Sequence, residues 1–213
     1  MAAVYHTMVG LAMAALLSAA PARAQDDLVR DVEGAAGRMD APARPPRAPG
    51  FRATDMYGKE VSLDDYHGAN VVLTFLSPTC VKDAVEWLKG VQTNFLGLRD
   101  VVFVNVLFPG PTPAFSSRSA SLKTLRTKIE DFYAQARDHM APDDRKRLES
   151  SEIRWIVDWK RDLHERYDVV PDRVTILLID GNGRVREQIG RRTPDSERRL
   201  VEVLDSLRAN ARQ

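Results

Sequence analysis

One sulfur dominates the chemistry open to this chain. Cys80 is the sole cysteine among 213 residues, in the run Ser77-Pro78-Thr79-Cys80-Val81-Lys82-Asp83. A lone thiol builds neither an internal disulfide nor a thiolate zinc cluster, since each needs two or more sulfurs from one chain. What remains is nucleophilic redox chemistry: reaction with a peroxide or a partner sulfur, giving a sulfenic acid or a mixed disulfide. Ser77 and Thr79 either hydrogen-bond a thiolate or peroxide, or satisfy the turn. Asp83 either shuttles a proton beside Cys80 or is a solvated acid suited to the first turn of a helix.

Position decides whether the thiol ionises. At a helix N-terminus, unpaired backbone N–H groups and the helix dipole favour an anion. A benefit of up to ~2 kcal/mol, at about 1.36 kcal/mol per pKa unit, would lower a thiol from about 8.5 to about 7. Lys82 would add to this, while Asp83 and Glu86 would oppose it. Three residues apart on a helix, Cys80 and Asp83 share a face, with ~5–6 Å between β-carbons. At an effective dielectric of about 20, their repulsion is ~3 kcal/mol before solvent screening, comparable to the helix-end benefit. Asp83 is therefore expected to restrain the reactivity of Cys80. The competing reading is a buried, inert thiol, because free cysteine is among the most buried residue types.

The elements that must position Cys80 are legible around it. Val71 to Leu76 is a continuous apolar, β-branched run, as in a strand buried on both faces. After the turn, Val81, Ala84, Val85, Leu88, Val91 and Phe95 mark one face of a helix, and Val101 to Leu107 is a second buried strand. Phe51 to Leu63 reads as a hairpin turning at Tyr57-Gly58-Lys59. Residues 108–167 read as mostly helical, with one stripe at Leu122, Leu125, Ile129, Phe132 and Ala136, a first-turn Pro142, and a second stripe at Trp155, Trp159, Leu163 and Tyr167. Both stripes read as core packing. Val174 to Ile179 is a third strand, Gly181-Asn182-Gly183 a turn, Val185 to Ile189 its antiparallel partner, and Thr193-Pro194 opens a last helix carrying Leu200, Val203, Leu204 and Leu207. This order predicts an α/β, thioredoxin-like fold: a central mixed sheet flanked by helices, with an N-terminal hairpin and a helical insert at about 108–153. His67, His139 and His164 lie far apart on turns or helices and read as surface residues, so neither a metal nor a cofactor is expected.

Three segments carry a family resemblance: Phe51 to Gly68 (FRATDMYGKEVSLDDYHG), Val71 to Cys80 (VVLTFLSPTC) and Tyr167 to Gly190 (YDVVPDRVTILLIDGNGRVREQIG). They resemble the redoxin branch of the thioredoxin-like superfamily. That branch includes the alkyl hydroperoxide reductase/thiol-specific antioxidant proteins and the exported thiol-disulfide oxidoreductases. The resemblance spans Phe51 to Leu207 and implies a reactive cysteine at the first helix, peroxide or disulfide chemistry, and an external thiol reductant or redox partner protein. Asp83 stands where exported disulfide oxidoreductases carry their second cysteine, so a dithiol cycle within one chain is excluded. Against the peroxiredoxin pattern, Ser77 replaces a threonine and Leu73 a proline. The cis-proline of thioredoxins and the peroxiredoxin arginine both fall on Val174, with Arg173 one residue away as the nearest counterpart of that arginine. The second cysteine and the histidine of copper-delivery relatives are missing. A redox-inactive redoxin domain that uses its insert for protein binding is the alternative.

Composition sets the context. Lys and Arg number 31 against 30 Asp and Glu, a net charge of +1, which provides no basic field for nucleic acid. Met8 to Ala20 is a short apolar run followed by Pro21 and the small-x-small site Ala22-Arg23-Ala24. It reads as a secretory signal peptide over residues 1–24, with a mature N-terminus at Gln25 and a periplasmic or secreted protein; an uncleaved anchor is the alternative. No later stretch approaches the roughly 20 apolar residues a membrane span requires. Residues 25–50, rich in Gly, Ala and Pro, read as a flexible linker, and 51–213 as the domain.

Overall fold

The computed structural model describes residues 45–77, 80–87, 93–110, 117–171, 173–190 and 193–210. The signal segment, residues 25–44, Thr79, Leu88 and Val91 lie outside the described residues.

β3 (Asn70–Leu76) and β4 (Val101–Leu107) form the centre of a five-stranded sheet ordered β5-β4-β3-β6-β7. β3, β4 and β5 (Glu152–Val157) run parallel, while β6 (Thr175–Ile179) and β7 (Val185–Ile189) are antiparallel to their neighbours. Every residue of β3 is buried, as its unbroken apolar run requires. Alternation along the strand sends Val72 and Leu76 to one face and Val71, Leu73 and Phe75 to the other. The first face is covered by α1 (Val81–Trp87), α2 (Arg118–His139) and the last helix, α5 (Pro194–Asn210), through Ala84, Trp87, Ile129, Leu200 and Leu204. Fully burying each such large side chain contributes about 1.5–3 kcal/mol. The second face carries Tyr66, Leu163, Tyr167 and Val169. β1 (Arg52–Thr54) and β2 (Glu60–Ser62) form the expected N-terminal hairpin, turning at Gly58, whose φ of 88° favours glycine.

Two expectations are corrected. The Trp155/Trp159/Leu163/Tyr167 stripe is not one helical face. Glu152–Val157 is the edge strand β5, paired in parallel with β4 from Val102↔Glu152 to Leu107↔Val157. Its β-branched Ile153, Ile156 and Val157 favour a strand, and the open edge of β4 supplies its hydrogen bonds. Trp155 consequently packs on the first face, while Leu163 and Tyr167 pack on the second. The insert holds α2 and α3 (Pro142–Glu149, with proline in its first turn as expected) and delivers this strand.

The linker reading also ends too late. Residues 45–50 form a strap against the domain: Ala48 N–H donates to Gly183 O (2.8 Å), Val185 N–H to Pro46 O (2.9 Å), and Arg166 to Gly50 O (2.7 Å). Prolines bring no N–H to satisfy, so their exposed carbonyls are used as acceptors by the sheet edge.

Candidate functional site

β3 ends at Leu76, and the chain turns into α1 within four residues, with Cys80 N–H donating to Ser77 O at 3.2 Å. That turn places the Cys80 Sγ against Ser77 from three directions. Ser77 N–H donates to Sγ at 3.2 Å, the Ser77 hydroxyl lies 3.4 Å from it, and the thiol reaches Ser77 O at 3.4 Å. Cys80 is only 5% exposed and packs in one cluster with Leu76, Ala84, Trp87 and Val174.

The electrostatics follow from that placement. Burial pushes the Cys80 thiol above the ordinary cysteine value, more than the Ser77 hydroxyl and backbone N–H pull it down; Asp83 adds to the upward shift. The expected drop towards about 7 therefore does not occur. α1 has seven residues, so its end brings a modest dipole, and removing the thiolate from water costs more than that dipole returns. Asp83, exposed in the first turn of α1, acts in the direction expected of it.

Of the sequence-derived site residues, Ser77 and Cys80 are brought into direct contact, and Asp83 bears on the sulfur through its charge. Arg173 is exposed where the chain enters β6; its neighbour Val174 belongs to the same buried cluster as Cys80. Thr79 lies outside the described residues.

Two polar residues escaped the sequence reading. His164, expected at the surface, is 1% exposed. It lies in α4 (Asp162–Arg166), and its Nδ1 is 2.8 Å from Asp158 Oδ2. The same oxygen accepts the backbone N–H groups of Leu163 and His164, both at 3.0 Å. These donors hold the Asp158 carboxyl below the usual carboxylate range although burial opposes them. Phe75 meets the His164 ring edge-on at 5.0 Å, which puts the pair on the second face of the sheet. The sheet thus separates His164 from Cys80, so His164 is no base for the thiol. The available signal was an acid at a strand end shortly before a helix that carries histidine.

The other is Asn105, fully buried in β4 between Thr74 of β3 and Trp155 of β5, on the Cys80 face. Neither atom of its carboxamide has a hydrogen-bond partner among the described residues. A lone amide inside the apolar run VVFVNVL was the signal.

Comparison with protein-family models and with curated proteins gives no match. Solved structures do match. A candidate thiol:disulfide interchange protein DsbE from Chlorobium tepidum is 22% identical, with a TM-score of 0.52 over 77% of this chain and 96% of that one. A candidate thioredoxin from Neisseria meningitidis is 18% identical, with a TM-score of 0.53 over 78% and 92%. The thioredoxin domain of a thiol-disulfide oxidoreductase from Bacteroides vulgatus is 19% identical, with a TM-score of 0.50 over 76% and 98%. At these identities the likeness is one of fold, and it is thioredoxin-like.

Proposed function

We propose that this thioredoxin-like fold serves an exported, single-cysteine thiol oxidoreductase of the redoxin type, with Cys80 as its sole redox centre. The observation that carries this reading is the Ser77 N–H aimed at Sγ from 3.2 Å, with the Ser77 hydroxyl beside it. Both donors favour a sulfur anion and would hold the thiolate and the oxidised sulfur that follows it. Thr79 is assigned as a further hydroxyl of the turn. Arg173, exposed and one residue from Val174, is assigned as the counterpart of the peroxiredoxin arginine that the resemblance implies. Asp83 is assigned the restraint on ionisation. Export rests on the apolar run and cleavage site within residues 1–24, and an exported chain that keeps one unpaired thiol fits a redox role.

In the peroxide cycle, Cys80 sulfur attacks one peroxide oxygen, forming the S–O bond of a sulfenic acid as the O–O bond breaks. Two electrons pass from sulfur to the leaving oxygen, which takes up a proton and departs as water or alcohol. An external thiol condenses with the sulfenic acid, releasing water and leaving a mixed disulfide. A second thiol attacks the partner sulfur, returning Cys80 as the thiol and carrying away a disulfide. With Asp83 in place of a second cysteine, both thiols must come from outside the chain.

Burial of Cys80 favours a second reading, a redox-inactive domain that binds proteins. Treatment with peroxide followed by a sulfenic-acid trap separates the two. The oxidoreductase reading expects one adduct, on Cys80, and loss of turnover in Cys80→Ser. Full turnover in Cys80→Ser, or no adduct on native protein whose unfolded chain is readily labelled, would favour the binding module.

A further inference from the structure

At the edge of the sheet beyond β5, a cleft of about 430 Å³ opens between β1, the start of α2 and the loop from β5 to α4. We infer that this cleft docks an acidic segment of a partner protein, recognised through the side chains of Arg52, Arg118, Lys160 and Arg166 around the indole of Trp159. The inference goes beyond the redox reading and stands whether or not Cys80 reacts.

The charge count supports it. The four cations come from four different elements and are all exposed at the cleft. Three carboxylates also line it, but two are already engaged. Asp55 Oδ1 accepts the N–H groups of Tyr57 and Lys59, and its Oδ2 faces Arg154 at 3.7 Å. Asp158 is held by His164 and the backbone as described above. Asp55 is offset by Arg154, which lies outside the cleft, so Asp158 and the exposed Asp162 stand against the four cations, which still outnumber them. Arg118, the first residue of α2, lies with its Cζ 6.0 Å from the centre of the Trp159 ring, so the cleft offers a flat apolar wall beside its charge. Helix α2 carries no acid in its first turn, although an acid there is the usual complement of a helix N-terminus. A string of carboxylates on an extended chain matches this arrangement of guanidinium groups around an indole.

The cleft is also held in place relative to the Cys80 turn. Phe108 N–H donates to Leu76 O (2.9 Å) and Asp158 N–H to Leu107 O (2.8 Å), tying the ends of β3, β4 and β5 into one rim. Two strand spacings, about 10 Å, separate the ends of β3 and β5. A partner seated in the cleft would thus present neighbouring residues to that rim.

A fluorescently labelled octaglutamate peptide, titrated against the full chain at low salt, tests the inference. Binding is expected, weakening about tenfold or more at 200 mM salt. Arg118→Glu with Lys160→Glu should weaken it at least tenfold. Arg137→Glu with Lys146→Glu, the same charge change at exposed positions far from the cleft, should leave it within twofold. Should the glutamate pair fail to fold, Arg118→Gln with Lys160→Gln reads the same contact. Trp159 fluorescence should shift on binding. The inference is overturned by an absence of binding at low salt, by equal loss in the two charge-reversed pairs, or by cleft variants that bind as wild type does. Inorganic phosphate competing at micromolar concentration would also overturn it, in favour of a small-anion site.

Discussion

Each face of the central sheet buries an ionisable acid near the ends of the parallel strands, the Cys80 thiol on one and the Asp158 carboxyl on the other, and the two are treated oppositely. On one face Cys80 lies in a cluster with Leu76, Ala84, Trp87 and Val174, its sulfur hydrogen-bonded by Ser77, and burial drives the thiol upwards. On the other, Asp158 is as well buried, yet three donors converge on one of its oxygens and hold it ionised. Desolvation acts in the same sense on both faces, disfavouring charge. The strength of the donors aimed at the atom, set against the cost of its burial, decides the outcome, and burial alone does not.

The largest expected effect comes from breaking the better-satisfied face. Asp158→Ala leaves His164 Nδ1 and two backbone N–H groups without their acceptor in the interior, and should cost about 3–5 kcal/mol in chemical denaturation. A loss below 1 kcal/mol would mean the two faces differ less than the geometry implies. The pH dependence has a definite sign. A carboxyl depressed in the folded state stabilises above its unfolded value of about 3.9, and that contribution is lost as pH falls through and below it. Asp158→Asn should flatten the acid limb of the stability profile.

Asn105 sharpens the comparison from within the Cys80 face. Its carboxamide is buried without partners among the described residues, so Asn105→Leu, close in volume, should raise stability by about 1–2 kcal/mol in the same denaturation assay. Destabilisation instead would show that the amide is satisfied in solution.

Smaller effects concern the sulfur. Ser77→Ala removes a hydroxyl that favours the thiolate; a hydrogen bond of about 1 kcal/mol corresponds to roughly fivefold slower alkylation of Cys80 at pH 8. Asp83→Asn should act oppositely and more weakly, speeding alkylation about twofold at pH 7, with the gain shrinking at high salt because Asp83 is exposed. A slower reaction in Asp83→Asn would identify Asp83 as a proton acceptor for the thiol.

The contrast between the faces also explains what the sequence made legible. β3, β4, β6 and β7, both hairpins and the last helix follow from apolar runs, turn residues and helical spacing, which are local signals. So does the place of Cys80 at a strand-to-helix turn. β5 was hidden because Trp155 and Trp159 happen to be four residues apart, a helical spacing, while the edge of β4 that claims Glu152–Val157 is more than 40 residues away in sequence. The strap at 45–50 was hidden because its prolines are held by carbonyls that bond to residues over 100 positions away. The ionisation of Cys80 was misjudged for a related reason. Spacing reveals a helix end and a neighbouring acid, but the burial of Cys80 comes from a cluster that includes Val174 and Leu200, which only the tertiary fold assembles.

The most direct test of this account is the rate of Cys80 alkylation followed from pH 6 to pH 10 on the native chain and on the chain unfolded in urea. With its thiol favoured in the folded state, Cys80 also contributes stability that is intact below the unfolded value of about 8.5 and is lost as pH rises towards the folded value. The native midpoint should lie above that of the unfolded chain, with slow reaction at pH 7. A native midpoint at or below the unfolded one would contradict it, and would mean that the donors of Ser77 and the end of α1 outweigh burial.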